Sequence, residues 1–328
     1  MDTQTIRLRV FCSAKGGVGK STLAVACAKL LAESKRTCVL IDADLTGTSL
    51  ADGLRLRAPN VALRQDGTPD LFANPTGDFL SRADTVRLRN DRKWKTGSEQ
   101  LASPVFLNDI LQHGTLTNEC RLDALLWRHE EDDGVWYLPS SPFEKDIAIA
   151  LGWIYREPPF TWLQRMMWLL EGMRAQIPTL SDVVIDLPPG LFGFAHEALV
   201  LLSHLRLERE FPSGFPAWHE QKGLWEAFPF LVTTPDRNDV LLAYEYLYAH
   251  AEELRGLRLL LNRNEDTQIP ELRKDLRMHF PDNMGAESIT PYRIDRLRPL
   301  AEIFTGRNLR MSEDVRRLRE YLQIEETA

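Results

Sequence analysis

The sequence predicts an α/β protein built on a doubly wound, mostly parallel sheet, and three observations carry that reading. A short apolar strand runs into a glycine cluster and then an alanine-rich helical stretch. A second apolar run follows one helix later. The same alternation of short apolar runs with helical patterns then continues along most of the chain.

Arg7 to Phe11 alternates and becomes apolar through Cys12-Ser13-Ala14, which predicts the first strand, and Ser21 to Ala32 predicts the helix after it. Thr37-Cys38-Val39-Leu40-Ile41, ending at Asp42, is continuously apolar, as suits a parallel strand covered on both faces. Further strands are expected at Val135 to Leu138, Val183 to Ile185, Phe228 to Val232, Leu257 to Leu261 and Glu287 to Thr290. Helical patterns lie between them at Phe160 to Ala175, Ala195 to Leu205, Val240 to Leu254 and Ile269 to Phe280. Two stretches break the alternation. Residues 55 to about 100, rich in Arg, Asp, Asn, Pro and Gly with little periodicity, read as an insertion in an otherwise single domain spanning 1–328. Glu208 to Lys222, with Pro212, Gly214 and Pro216, reads as an edge cap.

Composition narrows the function classes. With 328 residues, 44% hydrophobic and 27% charged, the chain is neither a disordered tail, a collagen-like fibre nor a disulfide-stapled miniprotein. Cys12, Cys27, Cys38 and Cys120 form no C-x-x-C pair and read as buried thiols of a reducing compartment. The start, Met1-Asp2-Thr3-Gln4-Thr5, has no signal-peptide pattern, and no apolar run approaches the roughly 18 residues of a membrane span. A soluble cytoplasmic protein is expected. A net charge of −7 means that any nucleic-acid binding must come from a local patch.

The strongest motif is Lys15-Gly16-Gly17-Val18-Gly19-Lys20-Ser21-Thr22, at the junction of the first strand and first helix. Glycines at 16, 17 and 19 permit a tight turn whose N–H groups, with Val18 in the loop, point at phosphate oxygens together with the helix N-terminus. Lys20 would neutralise the β and γ phosphates, Ser21 would ligate Mg²⁺, and Thr22 would add a phosphate contact. Asp42-Ala43-Asp44 places two carboxylates at the carboxyl end of the second strand, where open α/β sheets bind ligands. Val183-Val184-Ile185-Asp186-Leu187-Pro188-Pro189-Gly190 is a second buried strand ending in a carboxylate and a turn.

Taken together these segments resemble the ParA/MinD superfamily of P-loop ATPases, whose deviant Walker A box reads KGGxGK[ST]. The resemblance implies a P-loop NTPase fold, bound ATP and Mg²⁺, and a homodimer in which Lys15 reaches the nucleotide of the opposing subunit. It assigns Asp44 to the attacking water, Asp42 to a supporting place near Mg²⁺, and Asp186 to Mg²⁺ through water. Leu45 to Gly53 becomes the first switch loop and Gly190, in the second, offers a backbone N–H to the γ-phosphate. Asn262, closing Leu259-Leu260-Leu261, resembles the asparagine that reads adenine, and also suits a plain turn; Pro291, in Ile289-Thr290-Pro291-Tyr292, resembles the proline that packs the base.

The resemblance covers about residues 5–54 and, more loosely, 104–310. With the phosphate loop beginning at Lys15, there is no room for the N-terminal helix-turn-helix of autoregulating plasmid partition proteins. Lack of C-x-x-C argues against the iron–sulfur carriers of the superfamily. Val315, Leu318 and Leu322 share one face of a final helix, flanked by Arg316, Arg317 and Arg319; that face is small, so packing on the domain is expected rather than membrane binding. Arg82, Arg87, Arg89, Arg92, Lys93 and Lys95, against Asp84 and Asp91, form a basic stretch around Trp94 that suits DNA, a protein partner or plain solvent. Trp153, Trp162 and Trp168 with Met166 and Met167 read as core.

The function expected is an ATPase that dimerises on ATP and thereby times association with non-specific DNA or a protein partner that stimulates hydrolysis, in partition or positioning of a cargo. Regulation of a membrane-associated machine, an ATP-dependent ligase like dethiobiotin synthetase, and a non-hydrolysing binding module are the rivals. Lys15 speaks against the ligase, and intact Lys20, Asp44 and Asp186 against the module.

Overall fold

The computed structural model describes residues 5–45, 50–62, 70–71, 78–90, 94–95, 101–102, 105–113, 120–156, 161–206, 224–250, 257–264, 292–297, 300, 303–304 and 312–325. Strands β1 (Ile6–Ser13), β2 (Thr37–Asp42), β3 (Leu56–Arg57), β4 (Trp94–Lys95), β5 (Leu101–Ala102), β6 (Trp127–His129), β7 (Val135–Leu138), β8 (Leu180–Pro189), β9 (Trp225–Thr233), β10 (Arg258–Asn264) and β11 (Tyr292–Asp295) occur among them. Nine form one sheet in the order β11, β10, β9, β1, β8, β2, β7, β6, β3; β4 and β5 pair separately. From β11 to β7 every pairing is parallel, and β6 and β3 add an antiparallel edge. This is the α/β, doubly wound, mostly parallel sheet the sequence predicts.

Parallel strands must be buried on both faces, and the side chains divide accordingly. Leu8, Val10, Val39, Ile41, Val183 and Ile185 face helices Leu107–His113, Glu144–Arg156, Thr161–Gln176, Phe194–Arg206 and Arg237–Ala249. Phe11, Cys38, Leu40, Val184, Phe230 and Leu260 face α1 (Lys20–Glu33) and the C-terminal helix Glu313–Tyr321. Lying between the sheet and that last helix, α1 is buried nearly all round, Lys29 included; its ammonium is neutralised by Asp133 at 2.6 Å.

Val315, Leu318 and Leu322 are buried, and Arg316 and Arg319 reach Glu33 of α1 at 3.0 and 2.6 Å. The final helix therefore packs on the body, as expected from its narrow apolar stripe. Beneath it the fully buried Arg9 pairs with Asp182, which also accepts from Arg36 at 2.6 Å, and Arg9 donates to the carbonyls of Leu322 and Gln323 at 3.2 and 2.8 Å.

Trp162, Met166 and Met167 are buried in the core, with Trp153 and Trp168 partly buried against it. The stretch expected as an irregular insertion has more structure than its composition suggests. Leu56–Arg57 pairs with β6, and helix Arg82–Asn90 is tied back through Thr85, whose hydroxyl accepts from the Ala58 N–H at 3.3 Å. Leu71 and Leu80 are buried. The Glu208 to Lys222 cap, the Ile269 to Phe280 helix and the Glu287 to Thr290 strand lie outside the described residues.

Candidate nucleotide site

The carboxyl ends of β1, β2, β8 and β10 converge around the loop between β1 and α1. At the helix start, Gly19 is the N-cap with φ +89°, no side chain caps the first turn and no acidic residue occupies it. The orphan N–H groups and positive end of α1 are thus left for an anion. Gly17 has φ +79°, and a Cβ at Gly16 would meet the Pro189 side chain at 3.9 Å. Val18 is buried, and its carbonyl accepts from Asn262 Nδ2 at 2.8 Å, so β10 supports the loop from beneath.

Lys20 is buried and forms an ion pair with buried Asp186, while its ammonium lies 3.4 Å from Ser21 Oγ. Ser21 and Thr22 are half-buried at the head of α1. Asp42 and Asp186 stand opposite each other in the β2–β8 register. Burial, and then the neighbouring Asp186 charge, push the Asp42 carboxyl up to about 7. Asp42 is nonetheless well anchored: Oδ2 accepts from the Leu50 N–H at 2.8 Å and the Ser140 hydroxyl at 2.7 Å, and Oδ1 from the Asp44 N–H at 3.2 Å. It therefore braces the segment that resembles the first switch against the turn after β7. Asp44 is half-buried beside it.

Gly190 has φ +94°, and its N–H donates to the Ser13 carbonyl at 2.9 Å. The segment that resembles the second switch is thereby tied to the end of β1, and in this conformation the N–H expected to face a phosphate is engaged by the protein. Asn262 likewise spends one amide N–H on Val18 rather than standing clear as a base reader. Pro291 lies outside the described residues, as do residues 46–49 of the segment that resembles the first switch.

Lys15 is 59% exposed and its ammonium lies 2.7 Å from Asp239, a carboxylate only 8% exposed at the start of helix Arg237–Ala249. That hydrogen bond, the Asp239 charge and nearby Asp236 raise the lysine pKa. Among the described residues, two further contributors are Asp239, which motif spacing does not reveal, and Ser140, in the Pro-Ser turn that follows β7. The local signal for the first is a helix start, with Asp236 as N-cap accepting from the Asn238 and Asp239 N–H groups.

Two carboxylates and a hydroxyl make a hard oxygen set suited to a hard divalent cation. Among the described residues no three His, Cys, Asp or Glu side chains gather to hold an ion by themselves, so phosphate oxygens and water would complete the sphere. A cleft of about 420 Å³ opens at the opposite, amino-terminal sheet edge, but Arg7 there already pairs with Glu226 and Glu325.

Residues 5–72 match a family model described as ParA: NUBPL iron-transfer P-loop NTPase. No curated protein matches by sequence. Among solved structures, a ParA family ATPase from Chlorobium tepidum is similar over 97% of this chain and 98% of its own, with 16% identity and a TM-score of 0.55. The cell division ATPase MinD of Pyrococcus furiosus covers 97% and 99%, with 18% identity and 0.52. A plasmid partition protein of Borrelia burgdorferi, bound to AMPPNP, covers 98% of each chain with 13% identity and 0.52. At such identities these three establish the fold. With the phosphate loop inside the matched segment and this sheet around it, the chain is similar to the ParA family over residues 5–72 and shares the P-loop NTPase fold of the ParA and MinD ATPases.

Proposed function

We propose that the protein is a switch ATPase that dimerises on ATP, hydrolyses it with Mg²⁺, and so times association with DNA or a protein partner in partition or positioning of a cargo. The observation that carries this reading is the division of labour between two lysines of one loop: Lys20 buried on Asp186, and Lys15 projecting, largely exposed, at the loop's outer side. A P-loop needs only the inner lysine to hold its own phosphates. The outer one has its use across an interface.

In this scheme Lys20 leaves Asp186 for the phosphate oxygens, and the open N-terminus of α1 holds the remaining charge. Ser21 and Asp186, with Asp42 behind them, would hold Mg²⁺, which supplies neutralisation of charge developing on the phosphates. Asp44 orients the attacking water, whose oxygen bonds to the γ-phosphorus as the bond to the bridging oxygen breaks; the water proton passes to the released phosphate, and ADP and phosphate depart. Lys15 stabilises the partner's nucleotide. Asn262, held under the phosphate loop, and Pro291 belong to the base end of the site.

Iron transfer, the property in the matched model's description, is not adopted. The four cysteines are buried free thiols and form no C-x-x-C pair, so nothing in their spacing supports an iron site. A DNA-binding role rests on the basic stretch from Arg82 to Lys95; Arg87, whose side chain is described, is 58% exposed.

The test is the light-scattering mass of Asp44→Ala with Mg²⁺ and either ATP or ADP. A dimer with ATP and a monomer with ADP is expected. A mass indifferent to nucleotide would overturn the switch and favour the ligase reading.

A further inference from the structure

We infer that Asp239 is a latch that holds Lys15 in its own subunit and so sets how much ATP is needed to form the dimer. The inference rests on the switch reading above, and its observation is the juxtaposition of Lys15 Nζ and Asp239 Oδ1 at 2.7 Å across 224 positions of sequence.

The two partners differ in freedom. Asp239 is fixed: Oδ2 accepts from Thr234 Oγ1 at 2.7 Å, and its backbone N–H donates to the N-cap residue Asp236. Its carboxylate also sits in the first turn of a helix, where negative charge is favoured. Lys15 is the mobile partner, a long flexible stem with an ammonium open to water. When Lys15 departs, Asp239 keeps Thr234 and the helix N-terminus, so the carboxylate is not stranded. The bond is firm enough to bias the lysine and loose enough to release it.

A lysine paired in its own subunit is not available to a second one. If only the released fraction of Lys15 is competent to reach across, the apparent affinity for forming the dimer falls by that fraction. Asp239 is thus a positioning residue acting through Lys15, and it touches no reacting atom. A purely structural carboxylate at a helix start would stabilise the fold and leave the ATP threshold unmoved.

The experiment titrates ATP into Asp44→Ala at fixed Mg²⁺ and reads mass by light scattering, alone and combined with Asp239→Asn or Asp239→Glu. Asparagine keeps the size and the Thr234 bond but removes the charge. The latch predicts that Asp239→Asn lowers the half-maximal ATP concentration about 3- to 10-fold and that Asp239→Glu restores most of the shift. An unchanged or raised threshold in Asp239→Asn would overturn the latch. Failure of Asp44→Ala itself to dimerise would instead overturn the switch reading, which keeps the two apart. A second measurement needs no variant: amine acylation of the wild-type chain, read peptide by peptide, should rise at Lys15 relative to other exposed lysines as salt screens the pair. No relative rise would also count against the latch.

Discussion

Lys20 and Asp186 form a buried ion pair that joins the first turn of α1 to the carboxyl-terminal half of β8, with 6% and 2% of the two side chains exposed. Removing one member of such a pair leaves the other as a lone charge in a poor solvent, at a cost of about 3–5 kcal/mol. Lys20→Ala is therefore expected to lose both stability and ATP binding. In Lys20→Ala/Asp186→Ala much of the stability should return while binding stays at least about 100-fold weaker, because no cation meets the phosphates. Denaturant midpoints and calorimetric titration with ATP separate the two effects. Recovery of binding in the double variant would show that Lys20 is structural only.

The loop glycines are not equivalent. Gly17 and Gly19 both have positive φ, but a Cβ at Gly17 meets nothing within 4 Å whereas one at Gly19 would run into the Asn262 amide that holds the Val18 carbonyl. Gly17→Ala should lose about 1–2 kcal/mol from backbone strain alone. Gly19→Ala should lose more and also weaken nucleotide binding at least about 10-fold, since the support under the loop must move. Equal losses in thermal melts and ATP titrations of the two variants would contradict this account of Asn262.

The site's strands are legible in the sequence for a simple reason. β1, β2, β8, β9 and β10 each carry a short buried apolar run (Val10–Cys12, Cys38–Ile41, Val183–Ile185, Phe230–Val232, Leu259–Leu261), and their site residues stand near where that run meets a charged or turn residue. Strands β3 and β6, of two and three residues, are too short to show a period. Helix Glu144–Arg156 contains Gly152 and follows Pro142, which hides it among turn signals. Contacts are a different matter. That Asp42 braces Leu50 and Ser140, or that Asp239 meets Lys15, follows from the topology that brings strand ends together, and no local pattern encodes it.

The C-terminal helix offers a direct check on its docking. Leu318 is buried against α1, and Arg316 and Arg319 grip Glu33 beside it. Leu318→Ala should cost about 2–4 kcal/mol, as for other buried leucines. Glu33→Gln should cost less, since the pair is half-exposed and screened by solvent. With its apolar stripe already covered, the helix should not carry the wild-type chain down with anionic vesicles when ATP and Mg²⁺ are present. ATP-dependent sedimentation would mean that the helix undocks.

His129 supplies the pH test. It is 3% exposed on β6, and its Nδ1 accepts from the Glu131 N–H at 3.2 Å, so the ring is neutral with Nδ1 unprotonated. Burial lowers its pKa first of all, and Lys29 adds to this against Asp133, Glu131 and Glu130. The unfolded chain, with an ordinary value of about 6.5, therefore binds the proton before the folded one does. Stability is full above about pH 6.5 and falls as the pH drops through that value toward the folded pKa, with a slope of at most about 1.4 kcal/mol per pH unit from this group. Asp42, pushed up to about 7, takes its proton first in the folded chain and so has the opposite slope across the same range, a background that wild type and a His129 variant share. His129→Gln keeps an acceptor for Glu131 and cannot be protonated, so its urea midpoint should rise relative to that of wild type as the pH falls from about 7 to 5.5. Parallel curves in that window would show that His129 gains its proton equally well folded and unfolded.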